Sequence, residues 1–151
     1  MDKNAFLIEL SESDKTAFGR TDFGEQSTPQ KVFSAIWALE SEVNNGGFSQ
    51  YFYNSSNETA GFVAEALETI GAQQTAAICR EAIAVAFQGC LPADPAAIEA
   101  AAEEVPDEVL EKLDALDQQF FLYPNPLTDL LFAYVAKHPE EFGEIPEIES
   151  A

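Results

Sequence analysis

The sequence predicts an all-α protein that folds as a single compact domain of about seven or eight helices. Apolar residues recur at spacings of three and four along almost the whole chain, and the strict alternation of a strand is rare. Proline repeatedly follows a residue that can cap a helix, which is typical of a first helical turn. With 151 residues, 46% of them hydrophobic, the chain is long enough to bury its own core.

The first half of the chain contains four predicted helices separated by polar or glycine-rich segments. The first covers about residues 3–18, and the second begins at Thr28, the predicted cap, with Pro29 in its first turn. Two glycines in the run 44–47 interrupt it, because glycine reaches positive φ at little cost. Helical spacing resumes at Phe48, and a further helix starts at Glu58 or Thr59 and ends at Gly71.

The second half contains four more predicted helices. An alanine-rich helix covers 75–87, and its small side chains favour close contact between helices. Proline and cap signals place three further starts at 94–95, 106–107 and 125–126, and the last helix ends at His138 and Pro139. We expect one acidic domain over residues 1–151, with a loose acidic tail from about residue 143.

The charge is the most unusual property of the sequence. There are 27 acidic residues against 7 lysines and arginines, and the formal net charge is −20. Such a field repels nucleic acid and anionic membranes and speeds encounter with cationic molecules. We therefore predict a basic protein partner, with no direct binding of nucleic acid and no membrane association. The alternative is an acidic surface adapted to salt, which needs no partner.

The compartment is predicted from the cysteines and from the absence of long apolar runs. Cys79 and Cys90 lie in apolar sequence and are interpreted as reduced packing residues. The amino terminus is polar, and no run approaches the eighteen apolar residues that typify a membrane span. We expect a cytoplasmic protein.

Few residues suit enzymatic chemistry. His138 is the only histidine, and its position at a helix end suits a structural role. The sequence contains no zinc-ligand cluster, calcium loop or phosphate-binding glycine loop. A carboxylate pair could serve a glycosidase, but among 27 acids some pair always qualifies. We predict no enzyme activity, no cofactor and no metal.

A strongly acidic segment at 99–117 is the predicted partner-binding site. It combines eight acids with one lysine, a net charge of −7. The predicted contact residues are Glu99, Glu103, Glu104, Asp107, Glu108, Glu111, Asp114 and Asp117. One continuous helix would carry about one net charge per 4 Å, close to one per 3.4 Å on a single DNA strand. The proline at 106 is expected to bend the segment.

The segment could imitate one strand of a duplex but not both. A second acidic edge is expected from Glu65 and Glu68, from Asp14, Asp22 and Glu25, or from a second copy in a homodimer. In the helix after residue 106, spacings of four and three place Asp107, Glu111 and Asp114 on one ridge. Val109, Leu110, Leu113 and Leu116 are predicted to face the opposite side. The alternative is that the ridge is only a solvated helix face.

The most distinctive local sequence is 44–55, Asn-Asn-Gly-Gly-Phe-Ser-Gln-Tyr-Phe-Tyr-Asn-Ser. It combines a glycine break flanked by amides with an aromatic helix. It is either a helix–helix corner with its aromatic rings in the core or an amide-lined recognition site. With Trp37 and Glu42 before it and the stretches 66–67 and 70–72 after it, it resembles the hallmark of a bacterial family of helical proteins.

This resemblance covers about residues 28–138, and the extreme acidity makes the chain similar to DNA mimics of that family, which sequester helix-turn-helix transcription regulators. The resemblance implies an all-α homodimer with a duplex-like negative surface that keeps a regulator off its operator. Family members with this corner need not be mimics, and no individual contact residue is carried over. The alternative function is an acidic inhibitor or chaperone of another basic protein, such as a toxin or nuclease.

Overall fold

The structure, a computed structural model, describes residues 2–16 and 21–145, and within these ranges it contains helices and no strand. The all-α prediction is therefore confirmed. The α-helices are α1 (Lys3–Ser11), α2 (Thr28–Tyr53), α3 (Val63–Thr69), α4 (Gln73–Phe87), α5 (Pro95–Glu103), α6 (Asp107–Phe121), α7 (Leu127–Ala136) and α8 (Pro139–Phe142). Two short 3₁₀ turns cover Phe23–Glu25 and Ser55–Thr59.

Helix α2 is the longest element and the centre of the fold. Its start is fixed by a capping box, in which the Ser27 hydroxyl accepts from the Gln30 N–H and the Gln30 side chain accepts from the Ser27 N–H. The cap thus lies one residue before the predicted Thr28. The helix kinks at Gly46 and Gly47, where Gly47 has φ 77°. The predicted break is confirmed as a kink between two packed halves.

The core surrounds both halves of α2. Helices α3, α5, α6, α7 and α8 all contact it, while α1 packs on α7 and α4 packs on α3 and α6. Beyond the kink, Phe48 stacks with Phe52 at 6.1 Å between ring centroids and meets Phe120 of α6 edge to face. Phe52 in turn meets Phe87 of α4 at 4.9 Å. Phe48, Tyr51 and Phe52 of the distinctive segment are therefore core residues, whereas Tyr53 is 45% exposed.

The predicted helix starts are most accurate where proline and an acidic residue meet. Helix α5 begins at Pro95, and the Asp94 carboxylate caps it by accepting from the Ala97 N–H at 2.9 Å. Helix α6 begins at Asp107 directly after Pro106. The acidic segment is thus divided between two helices by the stretch 104–106, as the proline predicted.

Several predicted boundaries are wrong. Helix α1 ends at Ser11, where the hydroxyls of Ser11 and Ser13 donate to backbone carbonyls one turn back and compete with helix continuation. A 3₁₀ turn stands where a helix was predicted to start at Glu58 or Thr59. Helix α8 was not predicted. The acidic tail was predicted to begin at about residue 143, and from residue 146 onward it lies outside the described residues.

Candidate partner-binding surface

Seven of the eight predicted contact residues are exposed. Glu99 and Glu103 lie on α5, Glu104 follows it, and the remaining four lie on α6. Helices α5 and α6 each pack against α2, so the same central helix supports both groups of acids. The exposed residues are Glu99, Glu103, Glu104, Asp107, Glu108, Glu111 and Asp114.

The acids of α6 have a charge spacing close to that of a DNA strand. Four carboxylates stand between Asp107 and Asp114, a stretch of about 10 Å at 1.5 Å per residue. Their mean axial interval is therefore about 3.5 Å, compared with 3.4 Å per phosphate along one strand. Opposite them, Leu113, Leu116 and Phe120 are buried and hold the helix on the core.

The predicted apolar side of α6 is only partly correct. Leu113 and Leu116 are buried, but Val109 is half-buried and Leu110 is 40% exposed. Helical spacing alone could not show this, because the first turns of α6 extend beyond the elements that cover its later turns. The fully buried residues of this helix begin at Leu113, near its middle.

The exposed acids have no ion-pair partner within the described residues. The ion pairs found there are Lys3–Asp129, Arg80–Glu68 and His138–Glu140. The carboxylates of Glu103 and Glu99 beside the Tyr53 hydroxyl raise the pKa of that tyrosine. The surface of α5 and α6 therefore presents negative charge that forms no ion pair with a lysine or arginine in the described ranges.

Asp117 differs from the other seven predicted residues because it is half-buried. Its Oδ1 atom accepts a hydrogen bond from the Phe48 N–H at 2.8 Å. Burial raises the pKa of Asp117, the Phe48 hydrogen bond opposes the shift, and the nearby Asp114 charge adds to it. This carboxylate holds α6 against the kink of α2, which is a structural role that the acid count could not reveal.

The amides of the distinctive segment bind carboxylates and a tyrosine. The Asn44 side chain donates to the Tyr123 hydroxyl at 2.8 Å, and that hydroxyl donates to Glu40 at 3.0 Å. Burial raises the pKa of Glu40, and the Tyr123 hydrogen bond opposes that shift. The helix–helix corner is thus confirmed, since Phe48, Tyr51 and Phe52 are buried in the core. The amides of the segment make hydrogen bonds within the protein, and the recognition site remains a prediction.

The acids proposed as a second edge are less uniform than those of α6. Asp14, Asp22, Glu25 and Glu65 are exposed, whereas Glu68 is paired with Arg80 and contributes less free charge. They come from the region of α1, the first 3₁₀ turn and α3 rather than from one continuous ridge. A single chain therefore offers one regular acidic edge, on α5 and α6.

The groups considered for catalysis have ordinary structural surroundings. His138 lies 3.5 Å from Glu140 and 4.5 Å, between ring centroids, from Tyr134. Cys79 is buried, and burial raises the pKa of its thiol. Cys90 is exposed, so its interpretation as a packing residue was wrong. In the described ranges, no group of three or more histidine, cysteine or acidic side chains is placed to hold a metal ion.

The fold and this surface define a class of small all-helical proteins with an acidic face. A family model described as "DMP19-like protein" matches residues 24–138, and the chain belongs to that family. No curated protein and no solved structure gave a significant match. Among the described residues, none of the helices is both long and apolar enough to cross a membrane.

Proposed function

We propose that this protein is a DNA mimic that binds a helix-turn-helix transcription regulator through the carboxylates of α5 and α6 and keeps it off its operator. Family membership supports mimicry, because the DMP19-like family is associated with it. The observation that carries the proposal is the row of exposed acids on α6, which lie at strand-like spacing and form no ion pair within the described residues. The protein acts in the cytoplasm, where such a regulator is found.

The mechanism is electrostatic competition. A DNA-binding surface is lined with lysine and arginine that contact phosphates, and these contacts supply most of its sequence-independent affinity. The four carboxylates from Asp107 to Asp114 offer the same cations acceptors at a similar mean axial interval. Because these acids form no ion pair within the described residues, binding the regulator breaks no internal ion pair there.

A homodimer would supply the second acidic edge. Between α4 and α6 lies an open groove of about 680 Å³, whose apolar side chains include Ile78, Val85, Leu116 and Leu122. Leu122 is 81% exposed, which is unusual for a leucine at the rim of such a groove. On α6 the groove side lies about 100° around the helix from the acidic ridge. A second copy in the groove would therefore leave both ridges open.

The proposal is tested by capturing partners from native lysate on immobilised protein and then competing with duplex DNA. We expect one DNA-binding regulator to be retained at low salt, released at high salt and displaced by its operator duplex. A variant with Asp107→Asn, Glu111→Gln and Asp114→Asn should lose most of this affinity. A control with Glu9→Gln, Glu12→Gln and Glu144→Gln removes the same charge from elsewhere and should keep it.

The competition step also separates mimicry from the second candidate function. An acidic inhibitor or chaperone of a toxin or nuclease would also be favoured by the net charge of −20. Such a partner would be retained in the same way, but operator duplex would not displace it. Retention that is insensitive to salt, or equal loss of affinity in both triple variants, would contradict a site on α6.

A further inference from the structure

A polar cavity separate from the acidic ridge lies between the first half of α2 and the 3₁₀ turn Ser55–Thr59. Its volume is about 350 Å³, within the range of pockets that hold small molecules. Except for the methyl group of Ala38, its lining side chains are carboxylates and hydroxyls. They are Ser34, Glu42, Ser55, Ser56, Glu58 and Thr59.

Glu42 is held in a fixed position in this cavity by the distinctive segment. Its Oε2 atom accepts two amide hydrogen bonds, from Gln50 at 2.8 Å and from Asn54 at 2.9 Å. Gln50 lies in the second half of α2 and Asn54 follows its last residue, so both come from beyond the kink and the bend brings them back to Glu42. Within the described residues, no hydrogen bond or ion pair reaches the other oxygen, Oε1.

A second polar atom, on the lining residue Ser56, also lacks a partner within the described residues. The Ser56 Oγ atom is shielded from solvent and makes no hydrogen bond to any residue in the described ranges. A hydroxyl buried in this way costs free energy unless something satisfies it. The half-buried Glu42 has the same need, because its charge is partly removed from water and no lysine or arginine in the described ranges pairs with it.

We propose that this cavity binds a guanidinium group, carried by a small organic cation or by an arginine side chain. A guanidinium has five N–H donors and no acceptor, which complements a lining of carboxylate and hydroxyl oxygens. Its planar donors can engage Oε1 of Glu42, while Glu58 at the exposed rim adds a second negative charge. The volume leaves room for the alkyl chain that carries the group.

This inference does not depend on DNA mimicry. The ridge on α5 and α6 contributes no residue to the cavity, and the residues that orient Glu42 belong to the segment 44–55. A family member without an acidic surface could therefore keep the cavity. If the cavity does not bind a guanidinium group, the proposed binding of a regulator is unaffected. If the protein does not bind a regulator, the proposed ligand of the cavity is unaffected.

The test is an NMR titration of the full chain with agmatine at near-physiological salt, which screens binding to the general negative surface. We expect saturable shifts at the amides of residues 34, 42 and 55–59. Glu42→Gln should weaken binding about tenfold or more, because it removes the charge that strengthens the hydrogen bonds. Glu58→Gln, at an exposed position, should weaken it by a smaller factor.

The control is Glu111→Gln, which removes one charge from α6 and should leave agmatine affinity unchanged. Circular dichroism and thermal melting must show that Glu42→Gln is folded. If Glu42→Gln is not folded, the proposal is tested by comparing the agmatine affinity of Glu58→Gln with that of Glu111→Gln. Equal weakening in these two variants, shifts outside the cavity, or the absence of saturation would overturn the proposal.

Two further ligands test whether the cavity prefers a guanidinium group and whether that group belongs to a free cation or to an arginine side chain. Cadaverine, which has ammonium groups but no guanidinium, should bind more weakly than agmatine, and equal binding would contradict the assignment. A capped Gly-Arg-Gly peptide that binds as tightly as agmatine would show that the cavity accepts an arginine side chain of a protein. A peptide that fails while agmatine binds would assign the cavity to a free cation.

Discussion

The Oδ1 atom of Asp117 accepts a 2.8 Å hydrogen bond from the backbone N–H of Phe48, and this contact joins α6 to the kink of α2. The preceding residue, Gly47, has φ 77° and ψ −178°, a conformation almost restricted to glycine. A Cβ atom at residue 47 would collide with the same carboxylate. The kink, the glycine and the acid thus form one structural unit.

Gly47→Ala should destabilise the protein by about 2 kcal/mol or more, because it adds both backbone strain and a collision with Asp117. Chemical denaturation of the wild type and the variant measures the loss. Gly24→Ala is the matched control, since a Cβ there meets no atom within 4 Å. Similar stability of the two variants would contradict this description of the kink.

The free energy of unfolding should fall as the pH rises through the raised pKa values of Asp117 and Glu40. Both carboxyls are partly buried in the folded state, which raises their pKa above the ordinary values of 3.8 and 4.5. The folded protein therefore binds more protons than the unfolded chain above those values, and its stability is greatest on the acidic side of this window.

Asp117→Asn should flatten that pH dependence, because the amide oxygen can still accept from Phe48 while the buried charge is gone. Denaturation at several pH values between about 4 and 7 measures the slope. The control Glu111→Gln removes an exposed charge and should change the slope less. Identical slopes in both variants would show that general charge repulsion, and not the buried carboxyls, sets the pH dependence.

The triple variant of α6, with Asp107→Asn, Glu111→Gln and Asp114→Asn, should stay within about 1 kcal/mol of the wild type in stability. Relief of repulsion between acids three and four residues apart offsets the lost interaction of Asp107 with the helix amino terminus. Thermal melting checks this directly. A large loss would mean that the acids stabilise the fold, which would weaken their assignment to partner binding.

One cysteine should react with a thiol reagent in the native protein, and both should react after unfolding. Cys90 is exposed, whereas Cys79 is buried and burial raises its pKa, so little thiolate is available there. Mass spectrometry after brief labelling identifies the modified residue. Rapid native labelling of Cys79 would contradict its placement in the core.

Leu122→Ser should shift the protein toward the monomer in light scattering, because this leucine is the most exposed apolar side chain at the α4–α6 groove. Leu110→Ser is the matched control, since Leu110 is 40% exposed but does not line the groove. If both variants keep the wild-type mass, the groove is not the dimer interface.

The sequence was most informative where local chemistry decides the conformation. The starts of α5 and α6 follow from Pro95 and Pro106, and the kink follows from two adjacent glycines. Tertiary contacts were harder to predict from the sequence. Helical spacing could not separate Asp117, which faces the α2 kink, from Asp114, which faces solvent. The cavity at Glu42 was also missed, because its amide donors lie eight and twelve residues away, beyond the kink.

The exposed positions of the acids on α5 and α6 also bear on how such a surface can change over evolutionary time. Seven of the eight touch solvent and form no internal ion pair in the described part of the chain, so neutral substitutions there leave the kink and core undisturbed. Asp117 alone is tied to the architecture. Related proteins can therefore gain, exchange or lose the acidic residues of this surface one at a time while keeping the same fold.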